Sequence, residues 1–424
     1  MSEAEPRPAS VTESVPAGGL IQQRPFVLFW LARIAATIGY QMMALVIGWK
    51  IYEITGSAFD LGVVGLILFI PAVLLTLLVG HSADRYDRRR IVQIAQSVYA
   101  VAAVLVTAGT YFELLSRELL FFAVFMIGCA RAFELPTGHA LVPAMVPTRL
   151  LPRAVAAWSS ANQVAAISGP ALGGLIYAVT PIAVSIICAV AFVTSVTLVS
   201  MIRIRSNVVA NQEPPTLNSV LAGFHYIARR KRLLGVISLD LFVVLLGGVT
   251  ALLPIFAKDI LEVGPVGLGL LRSAPAIGAL ATAIVLSHYP VERHIGVKMF
   301  GAVAIFGVST IMFGLSTWFP LSLVALVFLG ASDAVSVVIR FTLVQMETPE
   351  EMRGRVSAIN YLFVGSSNTL GEFESGAVAA WLGAVQSVLI GGVGSLVIAA
   401  TWMGLFPDLR KLDRFEPADA KKES

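Results

Sequence analysis

The sequence predicts an all-α integral membrane protein of about twelve spans, arranged as two six-helix halves. Three observations predict it. The 424 residues are 57% hydrophobic and only 13% charged, with a mean hydropathy of +0.83. So little polar surface cannot wet the exterior of a water-soluble protein of this length. Apolar runs of roughly the 20 residues needed to cross a bilayer recur along the chain. Between them, Lys and Arg gather in alternate intervals, as membrane orientation requires.

Apolar length and charged or turn-forming breaks place the spans at 25–52, 60–81, 91–112, 119–141, 155–178, 181–203, 234–257, 265–288, 297–316, 320–344, 356–380 and 384–406. Thr180-Pro181 alone divides the fifth from the sixth. With the N-terminus in the cytoplasm, the inner loops hold Arg85, Arg88, Arg89, Arg90, Arg149, Arg153, Arg203, Arg205, Arg229, Arg230, Lys231, Arg232, Arg293, Lys298, Arg353 and Arg355. The outer segments hold little beyond Arg117, with Lys50 and Lys258 at span ends. Both termini are therefore expected inside.

Segment 1–23 is polar and rich in Pro, Glu and Ser; it reads as a disordered cytoplasmic tail and lacks the apolar core of a signal peptide. Segment 407–424 reads as a second tail. The longest inner loop, 204–233, carries Pro214-Pro215, then Leu217, Val220, Leu221, Phe224 and Ile227 at helical spacing, then Arg229 to Arg232. That pattern predicts an amphipathic helix on the inner membrane surface, its basic end at the headgroups. It divides a bundle over 24–203 from one over 234–406. The two repeat each other: shifted by about 202 residues, Gly169 meets Gly371, Gly174 meets Gly376 and Arg153 meets Arg355. With slightly different offsets, Pro71 meets Pro275 and Arg33 meets Asp240.

Several function classes find no support. The net charge of +4 and pI near 9.1 could suggest nucleic acid, but the basic clusters sit between apolar runs. Cys129 and Cys188 lie inside apolar runs and suit neither a disulfide framework nor a zinc site. The five histidines have no metal-ligand spacing, and neither a phosphate-binding Gly-x-x-x-x-Gly-Lys-Ser/Thr run nor a Gly-x-Ser-x-Gly elbow occurs. No metal, cofactor or enzymatic activity is expected.

Gly80-His81-Ser82-Ala83-Asp84-Arg85-Tyr86-Asp87-Arg88-Arg89-Arg90, between spans 2 and 3, resembles motif A of the major facilitator superfamily. Gly80 would let helices approach, and Asp84 could accept charge-assisted hydrogen bonds or cap a facing helix. Asp87 departs from the pattern, which usually has a second Gly there. Arg353-Gly354-Arg355-Val356 opens span 11 and offers the carboxylate a partner. In span 5, Ser168-Gly169-Pro170-Ala171-Leu172-Gly173-Gly174 resembles motif C of proton-coupled drug exporters; ordinary small-residue packing is the alternative. Glu134-Leu135-Pro136 through Asn162, and Gln345 through Gly371-Glu372-Phe373-Glu374-Ser375-Gly376, are similar to the branch holding the enterobactin exporter and macrolide efflux proteins, the drug:proton antiporter-3 group. The resemblance implies the major facilitator fold, and a cytoplasmic gate built from Gly80, Asp84, Arg85, Arg88, Arg89, Arg353 and Arg355.

Ionisable residues inside a membrane cost at least ~2.5–3.5 kcal/mol, so each is a functional candidate. Arg33 lies in span 1, Arg131 and Glu134 in span 4, Asp240 in span 7, Asp333 and Arg340 in span 10. In the resembled fold those four helices line the cavity. Glu372 and Glu374 in span 11 and Arg272 in span 8 fall outside that set. Glu134, Asp240 and Asp333 are the proton-coupling candidates; a fixed Arg131–Glu134 pair at spacing three is the structural alternative. Arg33, Thr37, Tyr40, Gln41, Arg131, Trp158 and Asn162 are the cavity and substrate candidates, with Phe122, Phe125, Cys129 and Phe133 as an aromatic wall. The expected function is a secondary active, proton-coupled exporter of amphipathic organic compounds of drug or siderophore type. An uptake carrier or lysophospholipid flippase of the same fold, or a polytopic membrane enzyme, are the alternatives. A multi-pass monomer in a bacterial inner membrane is expected, with substrate, protons and lipid as its partners.

Overall fold

The computed structural model describes residues 19–75, 78, 82, 85–203 and 217–415, with the backbone alone for 217–222, 351, 358, 361 and 362. The expected tails therefore lie outside the described residues over 1–18 and 416–424, as do 204–216 of the linker and two gate residues, Gly80 and Asp84. Everything described is helix, turn or loop, with no strand among the described residues.

The first set of helices is α1 (Arg24–Thr55), α2 (Ala58–Leu74), α3 (Arg88–Tyr111), α4 (Arg117–Met145), α5 (Leu151–Val179) and α6 (Pro181–Ser200). Local chemistry sets their ends. Gly56 stops α1 in the left-handed region at φ 61°, where a side chain would be strained. Ser57 then accepts the Asp60 amide at 3.2 Å to start α2, Asp87 the Arg89 amide at 2.9 Å to start α3, and Ser116 the Leu119 amide at 3.2 Å to start α4.

The second set is α7 (Leu217–Arg229), α8 (Lys231–Leu246), α9 (Val249–Ile255), α10 (Gly264–His288), α11 (Ile295–Leu315), α12 (Phe319–Glu347), α13 (Glu350–Leu382), α14 (Ala384–Leu405) and the short α15 (Pro407–Arg410). Predicted span 7 is broken. α8 ends at Gly247-Gly248, α9 follows, and a π-helical turn over Phe256–Ile260 closes the run. Gly248 lies so close to α13 that a Cβ there would sit 2.1 Å from the Gly371 carbonyl oxygen.

Among the described residues, nine helical runs are long and apolar enough to cross a membrane, with Lys231–Ile260 counted as one. α2 is shorter, at 17 residues. Their outward faces are apolar: Val190, Val193, Ile305, Val308, Val393 and Val397 are each at least half exposed. Contiguous apolar surface of this kind needs lipid rather than water.

Of the apolar face expected on α7, Phe224 is half exposed, and Leu217, Val220 and Leu221 lie outside the described side chains. Ile227 is buried with Val344, Val356 and Ile359, and Gly223 lies against the Arg355 carbonyl. Its basic end turns to protein as well: Arg230 donates to the Glu347 carbonyl at 2.9 Å, and Arg232 pairs with the Glu347 carboxylate at 3.4 Å. Ile227 of α7 is thus anchored on α8, α12 and α13.

The two sets meet mainly at the end remote from the chain termini, here the distal end. The largest apolar core takes residues from both sets, among them Tyr52, Leu61, Phe256, Leu268 and Ala379. Toward the terminal end each set has its own core: Phe26, Leu141 and Ile202 in the first, Val236, Met299 and Leu343 in the second. Two glycine seams join the sets. A Cβ on Gly174 of α5 would meet the Pro265 carbonyl of α10 at 2.4 Å, and one on Gly376 of α13 would meet the Gly62 Cα of α2 at 2.5 Å. Backbones approach this closely only where side chains are absent.

Candidate functional site

α1 turns Arg33, Thr37, Tyr40 and Gln41 toward α4 and α5, and together they enclose a cavity of about 300 Å³. Arg33 Nη1 donates to Glu134 Oε1 at 2.6 Å, and its Nε donates to Asn162 Oδ1 at 3.2 Å. The Thr37 hydroxyl donates to the same Asn162 oxygen at 3.5 Å. The other Glu134 oxygen accepts from the Tyr99 hydroxyl at 3.2 Å. Trp158 backs the cluster, its ring centre 5.0 Å from the Arg33 guanidinium carbon and stacked on Phe29. The seven substrate candidates thus fall in one place, with Glu134 among them.

Arg131 and Glu134 do not pair with each other. Glu134 is held by α1 and α3, while Arg131 lies over the Tyr40 ring, 4.7 Å from its centre. Magnitudes explain the choice: a pair along one helix contributes ~0.2–0.5 kcal/mol, a charge-assisted hydrogen bond in a protected site ~1.5–3 kcal/mol. The aromatic wall expected on α4 also faces elsewhere. Phe122 and Phe125 are about half exposed, and Cys129 and Phe133 line a separate lateral groove with Arg85 and Arg90. α4 gives the central space Val124, Ile127, Arg131 and Glu134 instead.

A second cavity, of about 220 Å³, shares Tyr40 and Gln41 with the first and reaches toward the distal end. It is lined by both sets of helices and includes Arg272 of α10 and Glu372 of α13, neither of which was among the site candidates. Each is an ionisable residue in an apolar helix, the signal that marks the other candidates, but stands on span 8 or 11 rather than on spans 1, 4, 7 or 10.

Asp240 and Asp333 lie apart from this site. Asp240 of α8 forms a buried ion pair with Arg340 of α12, and a small pocket of about 10 Å³ touches both Asp240 and Asp333. This pair matches Arg33–Glu134 in position with the signs exchanged. The first set has its arginine on α1 and its carboxylate on α4; the second has its carboxylate on α8 and its arginine on α12.

Of the expected gate, Arg88 donates to the Ala140 carbonyl at 3.4 Å and Arg89 to that of Ile202, both within the first set. Arg85 is exposed. Arg353 pairs with Glu350 at 3.9 Å and Arg355 approaches the Met352 sulfur at 3.8 Å, each on its own helix. In span 5, Gly169 and Gly173 pack on α1 at Gln41 and Met42, while Pro170 and Gly174 face Gly269 of α10. The motif therefore serves two helices at once.

A bundle of apolar-faced helices with a charged cavity between its two sets fits a membrane transporter. Residues 19–422 match the family described as transmembrane secretion effector, and the chain belongs to that family of the major facilitator superfamily. It is 24% identical over 413 residues to the enterobactin exporter EntS of Shigella dysenteriae serotype 1 (strain Sd197), covering 96% of this chain and 97% of that protein. EntS of Escherichia coli O1:K1 / APEC is similar to the same extent. Among solved structures, a bacterial homologue of the lysosomal transporter Spinster, inward-facing and unoccupied, superposes with a TM-score of 0.72 at 14% identity, over 94% of this chain and all of that one. A bacterial homologue of the iron transporter ferroportin, inward-facing, gives 0.70 at 17% identity, over 93% and 100%.

Proposed function

We propose that this protein is a secondary active exporter of amphipathic organic compounds, driven by protons through alternating access. It sits in a bacterial inner membrane with both termini in the cytoplasm. Twelve spans form two six-helix halves, 24–203 and 234–406, with the distal end outside and the central cavities opening inward. Recurring contacts support the two halves: Gly128 lies on Pro71 and Gly330 on Pro275, Gly174 on Gly269 and Gly376 on Gly62. Proton coupling rests on one observation, the Arg33–Glu134 pair at the cavity wall. A carboxylate that exchanges a cationic partner for an apolar setting changes its affinity for a proton, and alternating access supplies such an exchange. Siderophore or drug type is supported by the relatives and by a largely aliphatic lining to which Tyr40 adds a ring.

The test is transport into everted membrane vesicles. Respiration-driven accumulation of an exported compound should collapse when a protonophore is added. Accumulation that persists without any ion gradient would remove the proposal.

A further inference from the structure

The two adjoining cavities together carry three arginines, Arg33, Arg131 and Arg272, against two carboxylates, Glu134 and Glu372. Glu134 is committed to Arg33. Arg131 and Arg272 form no ion pair among the described residues, and the Arg272 Nε has no hydrogen-bond partner and is shielded from solvent. Arg131 stacks on Tyr40 at the junction of the two cavities; Arg272 lines the distal one, close to Gly48. Glu372 is the one carboxylate lining that distal cavity, beside Arg272. With Glu134 held by Arg33, two half-buried guanidinia are left with one carboxylate between them, an arrangement costly to keep in a low-dielectric site. Around them the walls are apolar: Leu61, Val64, Leu68, Val124 and Ile127.

We infer that Arg131 and Arg272 form the recognition site for an anionic head group on an amphipathic, aromatic substrate, and that Glu372 is the tethered anion such a group displaces. This rests on reading the cavity as the transport path. Guanidinium is the group suited to the task, because its planar donors match a carboxylate or sulfonate and its face stacks on aromatic rings. A second anion neutralises the excess charge, while the body of the ligand lies against the aliphatic wall and Tyr40. Glu372, held close by Gly65 on α2, repels the incoming head group as long as it is charged. Its removal strengthens anion binding for that reason. The site needs both sets of helices, so anion binding links the two across the cavity.

The probes are 2-naphthoate and 2-naphthamide, which share a body and differ in charge. Binding is measured by calorimetry on the full chain in lipid nanodiscs, with empty nanodiscs as blank. The unaltered protein should bind naphthoate about tenfold more tightly than naphthamide. Arg131→Gln and Arg272→Gln should each weaken naphthoate about tenfold or more and leave naphthamide within about twofold. Arg131→Lys and Arg272→Lys should keep part of the preference, and Glu372→Gln should tighten naphthoate alone. Retained naphthamide binding shows that a variant has folded. Equal affinities in the unaltered protein, no binding of either probe, or equal weakening of both in the glutamine variants would overturn the assignment. Vesicle export is scored separately. Naphthoate selectivity without gradient-driven export would defeat the exporter reading alone, and export without selectivity would defeat this site alone.

Discussion

Glu134 is held from two directions, by Arg33 on one oxygen and Tyr99 on the other, so its surroundings depend on α1 and α3 staying in place. A proton carrier at this position should lose gradient-driven efflux as Glu134→Gln while keeping substrate binding and gradient-free exchange. Uphill efflux with an unchanged pH profile would make Glu134 structural and move attention to Asp240 and Asp333. The exchanged signs of the two buried pairs give a second expectation. Breaking such a pair costs ~3–5 kcal/mol, so Arg33→Glu or Glu134→Arg alone should cut the amount of folded protein severely. The double variant installs the polarity that Asp240–Arg340 already uses, and it should restore accumulation measured by fluorescence size-exclusion. Intramembrane cost made Arg33, Glu134, Asp240 and Arg340 visible in the sequence. Spans 1 and 4 facing one cavity already put Arg33 near Glu134, whereas Tyr99 and the Asn162 contact of Arg33 were not visible, because nothing in one helix reveals the donors and acceptors on its neighbours. Arg272 and Glu372 carry the same cost, and their place on spans 8 and 11 is what sets them outside the candidates.

At the scale of the helix, small residues decide where the two sets touch. Gly174 leaves no room for a side chain, since a Cβ would lie 2.4 Å from the Pro265 carbonyl. Gly174→Val should therefore hold α5 away from α10. Overpacking costs ~1–3 kcal/mol, enough to shift a balanced equilibrium about fivefold or more toward distal-open forms. Transport should fall in step while insertion is retained; Gly301→Ala, where a Cβ meets nothing within 4 Å, should be silent in the same assay. Export at the normal rate by Gly174→Val would show that the seam tolerates separation. The helices themselves were legible from apolar length, and the end of α1 from Gly56. The break in span 7 was not, because Lys231–Ile260 reads as one apolar run in spite of Gly247-Gly248. Nor was the facing of α4. Residues at spacings of three and four share a side, but spacing alone does not say whether lipid or cavity lies opposite.

For the whole molecule, the distal end is joined and the terminal end carries two separate cores. The Tyr52 hydroxyl donates to Asp259, and Lys258 stacks on Tyr52, bridging the tip of α1 to the π-helical turn after α9. Alternating access requires these contacts to part while the terminal ends approach. Arg353 and Arg355 are exposed and, among the described residues, contact their own helix. Asp84 is then the expected partner at the terminal end. Tyr52→Cys with Asp259→Cys, in a chain whose Cys129 and Cys188 are replaced by serine, should be bridged by a short bifunctional thiol reagent. Export should stop on bridging and return on reduction if the reagent is cleavable. Asp84→Asn keeps the shape but loses the charge, and charge-assisted bonds are roughly twice as strong as neutral ones. The terminal-closed state should weaken, the distal-joined state gain population, and the bridging rate rise. An unchanged rate in Asp84→Asn would mean that Asp84 does not hold the terminal end shut, whatever its motif suggests.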